Sequence, residues 1–239
     1  MLNQGNNDEI LGYIETVFHP LAFDEDRFTL YELGKMALNS NQSFRGWPFL
    51  PYAPQYRSDT IMKYDNRIEI LFNSRLKIHN QDLGLNYNFC VLMRSGLVYT
   101  IRLMASDKMH PNKIQTRYLH FGDFTLTVAE AINSLIKFYE NFISNTESIY
   151  FNVNLIGTAQ RMFLLTESEY SDFTFKDNKI GYSKTRTLIE WKSGLVDHAV
   201  EILKDIDFRV GCQNRIDYER VKELIRKTLL KEEQSLFPN

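Results

Sequence analysis

Between Phe89 and Leu103 two strand-like runs stand only three residues apart, and this spacing constrains the fold more than any other feature. Phe89-Cys90-Val91-Leu92-Met93 is continuously apolar. Leu97, Tyr99, Ile101 and Leu103 then alternate with Val98, Thr100 and Arg102. Arg94-Ser95-Gly96 has room for a tight turn and none for a crossover helix, so the pair predicts an antiparallel hairpin. A further run precedes it, with Ile68, Ile70 and Phe72 alternating with Arg67, Glu69 and Leu71. A strict alternation of strand and helix is therefore excluded.

Around this strand block the chain reads as helical. Ile10, Leu11, Ile14, Val17 and Phe18 share one helical face and predict a helix over Asp8 to Phe18, stopped at His19-Pro20. Thr29 and Glu32 have capping-box spacing and predict a second helix. Thr127 and Glu130 repeat that spacing at the head of a long stripe from Val128 to Ile143. Ile149 to Leu155 alternates as a half-buried strand. Gly157-Thr158-Ala159-Gln160 reads as a turn into a strand over Arg161 to Leu165. Glu167 to Thr185 is polar and without clean period, and Thr187 to Trp191 reads as a short strand. Helices are expected from Leu195 to near Gly211 and from Asp217 to Glu233.

The expected fold class is α+β, with an antiparallel or mixed sheet of five to six strands packed by four or five helices. The 239 residues show no linker, so a single domain over 1–239 is expected. It divides into a helical part 8–40, an aromatic, proline-rich loop 44–56, a strand-rich part 67–165 and a helical part 194–233. Charged residues make up 24% and net charge is −2, so no global field draws the chain to nucleic acid or acidic lipid. No apolar run reaches the roughly 18 residues of a membrane span. Cys90 lies in an apolar run and Cys212 follows Val210-Gly211, and neither belongs to a CxxC pair. A zinc site is not expected, and a reducing, cytoplasmic setting is.

The most unusual segment is Phe44-Arg45-Gly46-Trp47-Pro48-Phe49-Leu50-Pro51-Tyr52-Ala53-Pro54-Gln55-Tyr56, with three of the six prolines and five aromatics. Prolines fix φ and remove donors, so the segment reads as a stiff loop. Its candidate binding residues are Arg45, Gly46, Trp47, Pro48, Tyr52, Tyr56 and Arg57, with Arg45 as anion partner and Trp47 as aromatic anchor. Phe49 is expected in the core. Stacking on such a loop would also suit single-stranded nucleic acid.

Phosphate-loop, GxGxxG, HExxH and GxSxG motifs are absent. The sharpest enzyme-like string is Thr187-Leu188-Ile189-Glu190-Trp191-Lys192, an apolar run ending in E-x-K. With Asp177 or Asp172 upstream it has the composition of a Mg²⁺-dependent nuclease, where carboxylates hold the cation and lysine steadies developing charge. That chemistry needs the three side chains to converge. His198 reads as a packed histidine beside its helix's apolar stripe. The final helix sets Arg215, Arg220, Lys222, Arg226, Lys227 and Lys231 against Asp217, Glu219, Glu223, Glu232 and Glu233, a mixed solvated face.

Phe44-Arg45-Gly46-Trp47-Pro48-Phe49 after a helix, a strand pair split by Arg94-Ser95-Gly96, the segment Thr127 to Ile132, the strand Ile149 to Leu155, and Gly157 with Arg161 form a pattern. From Thr29 to Gly211 it resembles the region downstream of the Alba-type, Schlafen-like DNA-binding domain in bacterial ATP-binding or helix-turn-helix proteins. The resemblance implies an accessory, sensing or partner-binding module of a bacterial stress-response or phage-defence system. It brings no catalytic residue, metal or cofactor. The expected function is thus non-enzymatic partner binding, with a protein partner and no membrane. The alternatives are a nuclease on Asp177, Glu190 and Lys192, and nucleic-acid binding through Arg45 to Tyr56.

Overall fold

The computed structural model describes residues 12–41, 49–50, 61–78, 81–104, 118–165, 174–210 and 215–235, with side chains except at 72–78, 81–87 and 230–235. Its main sheet has seven strands: β1 (Tyr13–Pro20), β2 (Ile61–Lys63), β3 (Arg67–Ile78), β4 (Gln81–Met93), β5 (Val98–Leu103), β7 (Ser148–Ile156) and β9 (Lys179–Thr187). Their order is β2-β3-β4-β5-β1-β7-β9, and every neighbouring pair is antiparallel. Two short strands, β6 (Tyr118–His120) and β8 (Met162–Leu164), pair in parallel beside it. The described residues form five helices: α1 (Leu30–Asn39), α2 (Phe121–Tyr139), α3 (Leu188–Ser193), α4 (Leu195–Val210) and α5 (Tyr218–Ser235). The fold is α+β, with a larger sheet than the sequence reading allowed.

Two strands account for much of the difference. The first helix expected from Asp8 to Phe18 is instead β1 over its described part. Ile14, Thr16 and Phe18 are buried while Tyr13, Glu15, Val17 and His19 are half-buried, a period of two. Val, Ile, Thr and Phe suit a pleated surface. With ladders to β5 on one side and β7 on the other, pairing outweighs a weak helical stripe. The other strand is β9, within the stretch read as polar and irregular. It is an edge strand that buries only Ile180, so its composition carries no hydrophobic alternation.

Helix starts follow the capping chemistry in two of three cases. Thr29 caps α1: its hydroxyl accepts from Glu32 N at 3.2 Å, and Glu32 Oε2 accepts from Thr29 N at 2.7 Å. Thr187 and Glu190 build the same box at α3, so the segment read as a strand is a helix. Thr127 and Glu130 do not cap. The helix begins six residues earlier at Phe121, because Phe121 and Phe124 pack on Phe163 with centroids 5.4 and 6.0 Å apart. Thr127 Oγ1 donates back to Asp123 O at 2.8 Å, an internal helix bond.

Among the described residues, the core cluster lies on one side of the sheet. α2 is the central helix, flanked by α1, α4 and α5 and mostly buried. Phe138 and Tyr139 meet Phe18 edge-on, and Trp191 packs on Phe151. Tyr139 also donates its hydroxyl to Gly96 O, fastening the Arg94-Ser95-Gly96 turn to the core. Gly96 is required there: its φ is +88°, and a β-carbon would sit 2.9 Å from the Phe28 ring. Phe49 and Leu50 are fully buried, as expected for Phe49, whose ring lies 5.3 Å from the Arg102 guanidinium.

Candidate functional site

The register places two faces on the main sheet. Ile68, Ile70, Cys90, Leu92, Val98, Thr100, Arg102, Ile14, Thr16, Phe18, Phe151, Val153 and Leu155 point to the helices and are buried. Their neighbours point the other way. Among the described residues no helix packs on that second face, and its apolar side chains belong to no part of the core cluster.

This outward face is split chemically. One row runs Leu71–Phe89–Ile101–Glu15–Asn154–Gly181 across β3, β4, β5, β1, β7 and β9. The next runs Glu69–Val91–Tyr99–Val17–Asn152–Ser183. The half over β3, β4 and β5 is apolar and aromatic: Leu71, Phe89, Val91, Tyr99 and Ile101, all half-buried. The half over β7 and β9 is polar. Glu15 on β1, between the two halves, stands at the seam.

Glu15 holds the polar half together. Asn154 Nδ2 donates to its Oε1 at 2.6 Å, Lys179 Nζ lies 3.3 Å from the same oxygen, and the Tyr99 hydroxyl donates to Oε2 at 3.3 Å. Asn154 Nδ2 also donates to Asn152 Oδ1 at 2.6 Å, and Asn152 Nδ2 to Tyr182 O at 3.2 Å. A carboxylate with three donors, one of them a cation, is fixed in direction, and it pins Tyr99 at the border of the apolar half. At the opposite margin Arg67 pairs with Glu69 at 2.6 Å and stacks over Tyr64. Among the described side chains, these charges on the face come as neutral pairs. Among the described side chains of this face no nucleophile has a base beside it. What the arrangement can do is present a pre-set surface.

The sequence-predicted binding residues Arg45, Gly46, Trp47, Pro48, Tyr52, Tyr56 and Arg57 lie outside the described residues, as do Asp172 and Cys212. The nuclease trio is described, and the structure does not bring it together. Asp177 precedes β9 and Glu190 follows it, so the nine residues of that strand separate them. At about 3.3 Å per residue the separation is roughly 26 Å. Glu190 is occupied as the capping carboxylate of α3, and bonds from the Thr187 hydroxyl and backbone N–H hold it below the usual carboxylate range. Lys192 reaches Asn145 Oδ1 at 3.5 Å. Among the described residues no group of three acidic, histidine or cysteine side chains could hold a metal ion.

Other candidates take structural roles. His198 Nε2 lies 2.8 Å from Glu190 O and its ring meets Trp191 edge-on, so it joins α3 to α4. Cys90 is fully buried and burial pushes its thiol pKa far up, leaving it unreactive. Burial and the bond to Glu201 push the Tyr182 hydroxyl up as well. Glu201 goes the other way: burial opposes ionisation, but Tyr182, Arg186 and Lys184 outweigh it and lower its pKa. On α5, Lys222 pairs with Asp197 and Glu219, and Lys227 with Glu223, a mixed solvated face. No described helix is long and apolar enough to cross a membrane.

Glu15, Asn152, Asn154 and Lys179 were not singled out from sequence. The signal was present in the alternation Tyr13 to His19, which reads outward at Glu15 once β1 is a strand. Comparison with family models, curated proteins and solved structures finds no match.

Proposed function

We propose that this protein is a non-enzymatic binding module that docks a protein partner on the sheet face opposite its described helices. The observation behind this reading is the half-buried apolar row of Phe89, Val91, Tyr99 and Ile101 beside a rigid polar network centred on Glu15. Aromatic and aliphatic anchors inside a polar margin are the composition of protein interfaces. Among the described side chains the charge pattern favours polypeptide over nucleic acid: Glu15 offsets Lys179 and Glu69 offsets Arg67, which leaves no unpaired cation row for phosphates there. The resemblance to the region downstream of Schlafen-like domains agrees with an accessory or sensing role in the cytoplasm of a bacterium, in stress response or phage defence. On the same reading Arg45 and Trp47 add an anion partner and an aromatic anchor.

The test is site-specific photo-crosslinking in the native host. A photoreactive phenylalanine at Ile101 should give one discrete protein adduct. The same group at Phe208, an exposed side chain of α4, should give none. Identical products from both positions, or nucleic acid as the adduct of Ile101, would overturn the reading.

A further inference from the structure

Between the sheet and α2, five side-chain polar atoms are buried with no hydrogen-bond partner among the described residues: Thr16 Oγ1, Thr100 Oγ1, Ser134 Oγ, and both Oδ1 and Nδ2 of Asn88. None of these four residues is more than 1% exposed. The register gathers them. Thr16 and Thr100 are direct partners across β1 and β5. Asn88 on β4 is the direct partner of Arg102, two residues along β5 from Thr100. The central helix covers this strip. Its Glu130 meets Arg102, and its Phe138 and Tyr139 meet Phe18. Ser134 lies about one turn from each contact, and Thr16 lies midway between Phe18 and Ile14, the partner of Arg102. Four helical residues advance about 6 Å and two strand residues about 6.6 Å, so Ser134 stands over the threonine pair. We propose that this interior strip is a binding site for ordered water, holding at least two molecules.

The chemistry of the strip selects water. Buried polar atoms in folded proteins are paired, either with protein groups or with internal water. The unpaired atoms here are neutral, three hydroxyls and an amide, and together they offer both donors and acceptors. The adjacent charges, Arg102 and Glu130, oppose each other, so the strip favours neither an anion nor a cation. More than one molecule is needed. Thr16 and Asn88 stand two strands and two residues apart, roughly 12 Å, whereas one water spans roughly 6 Å between its partners. Bound there, the waters tie α2 to the sheet where the contact is polar. A slip of the helix by one turn would carry Glu130 off Arg102 and onto the threonines, so the tie holds the helix in register. The site is independent of the docking reading, which concerns the opposite face of the sheet.

The experiment is a high-resolution crystal structure of the full chain, combined with solution measurements on isosteric variants. The structure should show at least two ordered waters within hydrogen-bond distance of Thr16, Thr100, Ser134 or Asn88 side chains. Thr100→Val keeps the shape and removes the hydroxyl. A hydroxyl that holds water leaves that water short of a bond when it is removed, so Tm should fall by about 2–4 °C. Oxygen-17 relaxation dispersion should count fewer long-lived waters in Thr16→Val/Thr100→Val than in the parent. A direct Thr16–Thr100 bond in a strip without water, an unchanged or raised Tm in Thr100→Val, or an equal count of long-lived waters would overturn the proposal.

Discussion

The side chain of Asn154 occupies the space above Gly181: a β-carbon at Gly181 would lie 1.9 Å from Asn154 Oδ1. The two residues are direct partners across β7 and β9, and the missing side chain is what lets Asn154 lie flat and reach Glu15. Gly181→Ala should therefore destabilise the protein by about 1–3 kcal/mol, as overpacking does. In an Asn154→Ala background the same change should be nearly neutral. Urea unfolding of the four proteins in this cycle checks the coupling.

Arg102 and Glu130 form an ion pair in the core, 3.4 Å apart, with both side chains less than a tenth exposed. Glu130→Leu leaves the guanidinium buried without that carboxylate and should cost about 3–5 kcal/mol. Arg102→Met with Glu130→Leu should cost much less, since apolar replacement of both partners removes the desolvation penalty. Thermal and urea denaturation of the single and double variants separate these outcomes.

Glu32 and Glu190 both cap helices, and both carboxyls are held below their usual range, chiefly by bonds from Thr29 and Thr187. A lowered folded-state pKa means that stability is present above the ordinary carboxylate pKa and is lost as pH falls through the lowered values. Stability measured from about pH 6 down to pH 3 should drop less in Glu32→Gln/Glu190→Gln than in the parent. Thr187→Ala should cost about 1 kcal/mol at neutral pH.

Cys90 is a probe of global opening. Its burial and raised thiol pKa predict negligible reaction with a disulfide reagent in the folded Cys212→Ser protein. Full reaction should appear across the unfolding transition. Because the strand carrying it pairs on both sides, the modification rate under native conditions should track global stability.

The hairpin around Arg94-Ser95-Gly96, the alternation of Ile149 to Leu155 and the cap at Thr29 were legible because each rests on local chemistry. β1 reads as a helix from sequence because Ile14 and Phe18, four apart, fit both periods and Val17 completes only the helical one; its two neighbours decide for the strand. β9 was missed because an edge strand needs few apolar residues. The second cap, at Thr187, was hidden by apolar residues that suit either element. The Glu15 network draws on β1, β5, β7 and β9, so no sequence window contains it. The E-x-K string looked catalytic because capping and metal binding use the same carboxylate; only its distance from Asp177 separates them.

The position of β1 has a consequence for how the chain is made. It leaves the ribosome before any strand it pairs with, yet it ends in the middle of the sheet, between β5 and β7. Its second neighbour ends at Ile156, so at cellular elongation rates β1 waits on the order of 10 s with its second edge unpaired. Ile14, Thr16 and Phe18 have no sheet to join until β5 emerges, and the second edge of β1 stays open until β7 does. The nascent chain is then most exposed to chaperones and to aggregation, and a pause placed before β7 would lengthen that exposure.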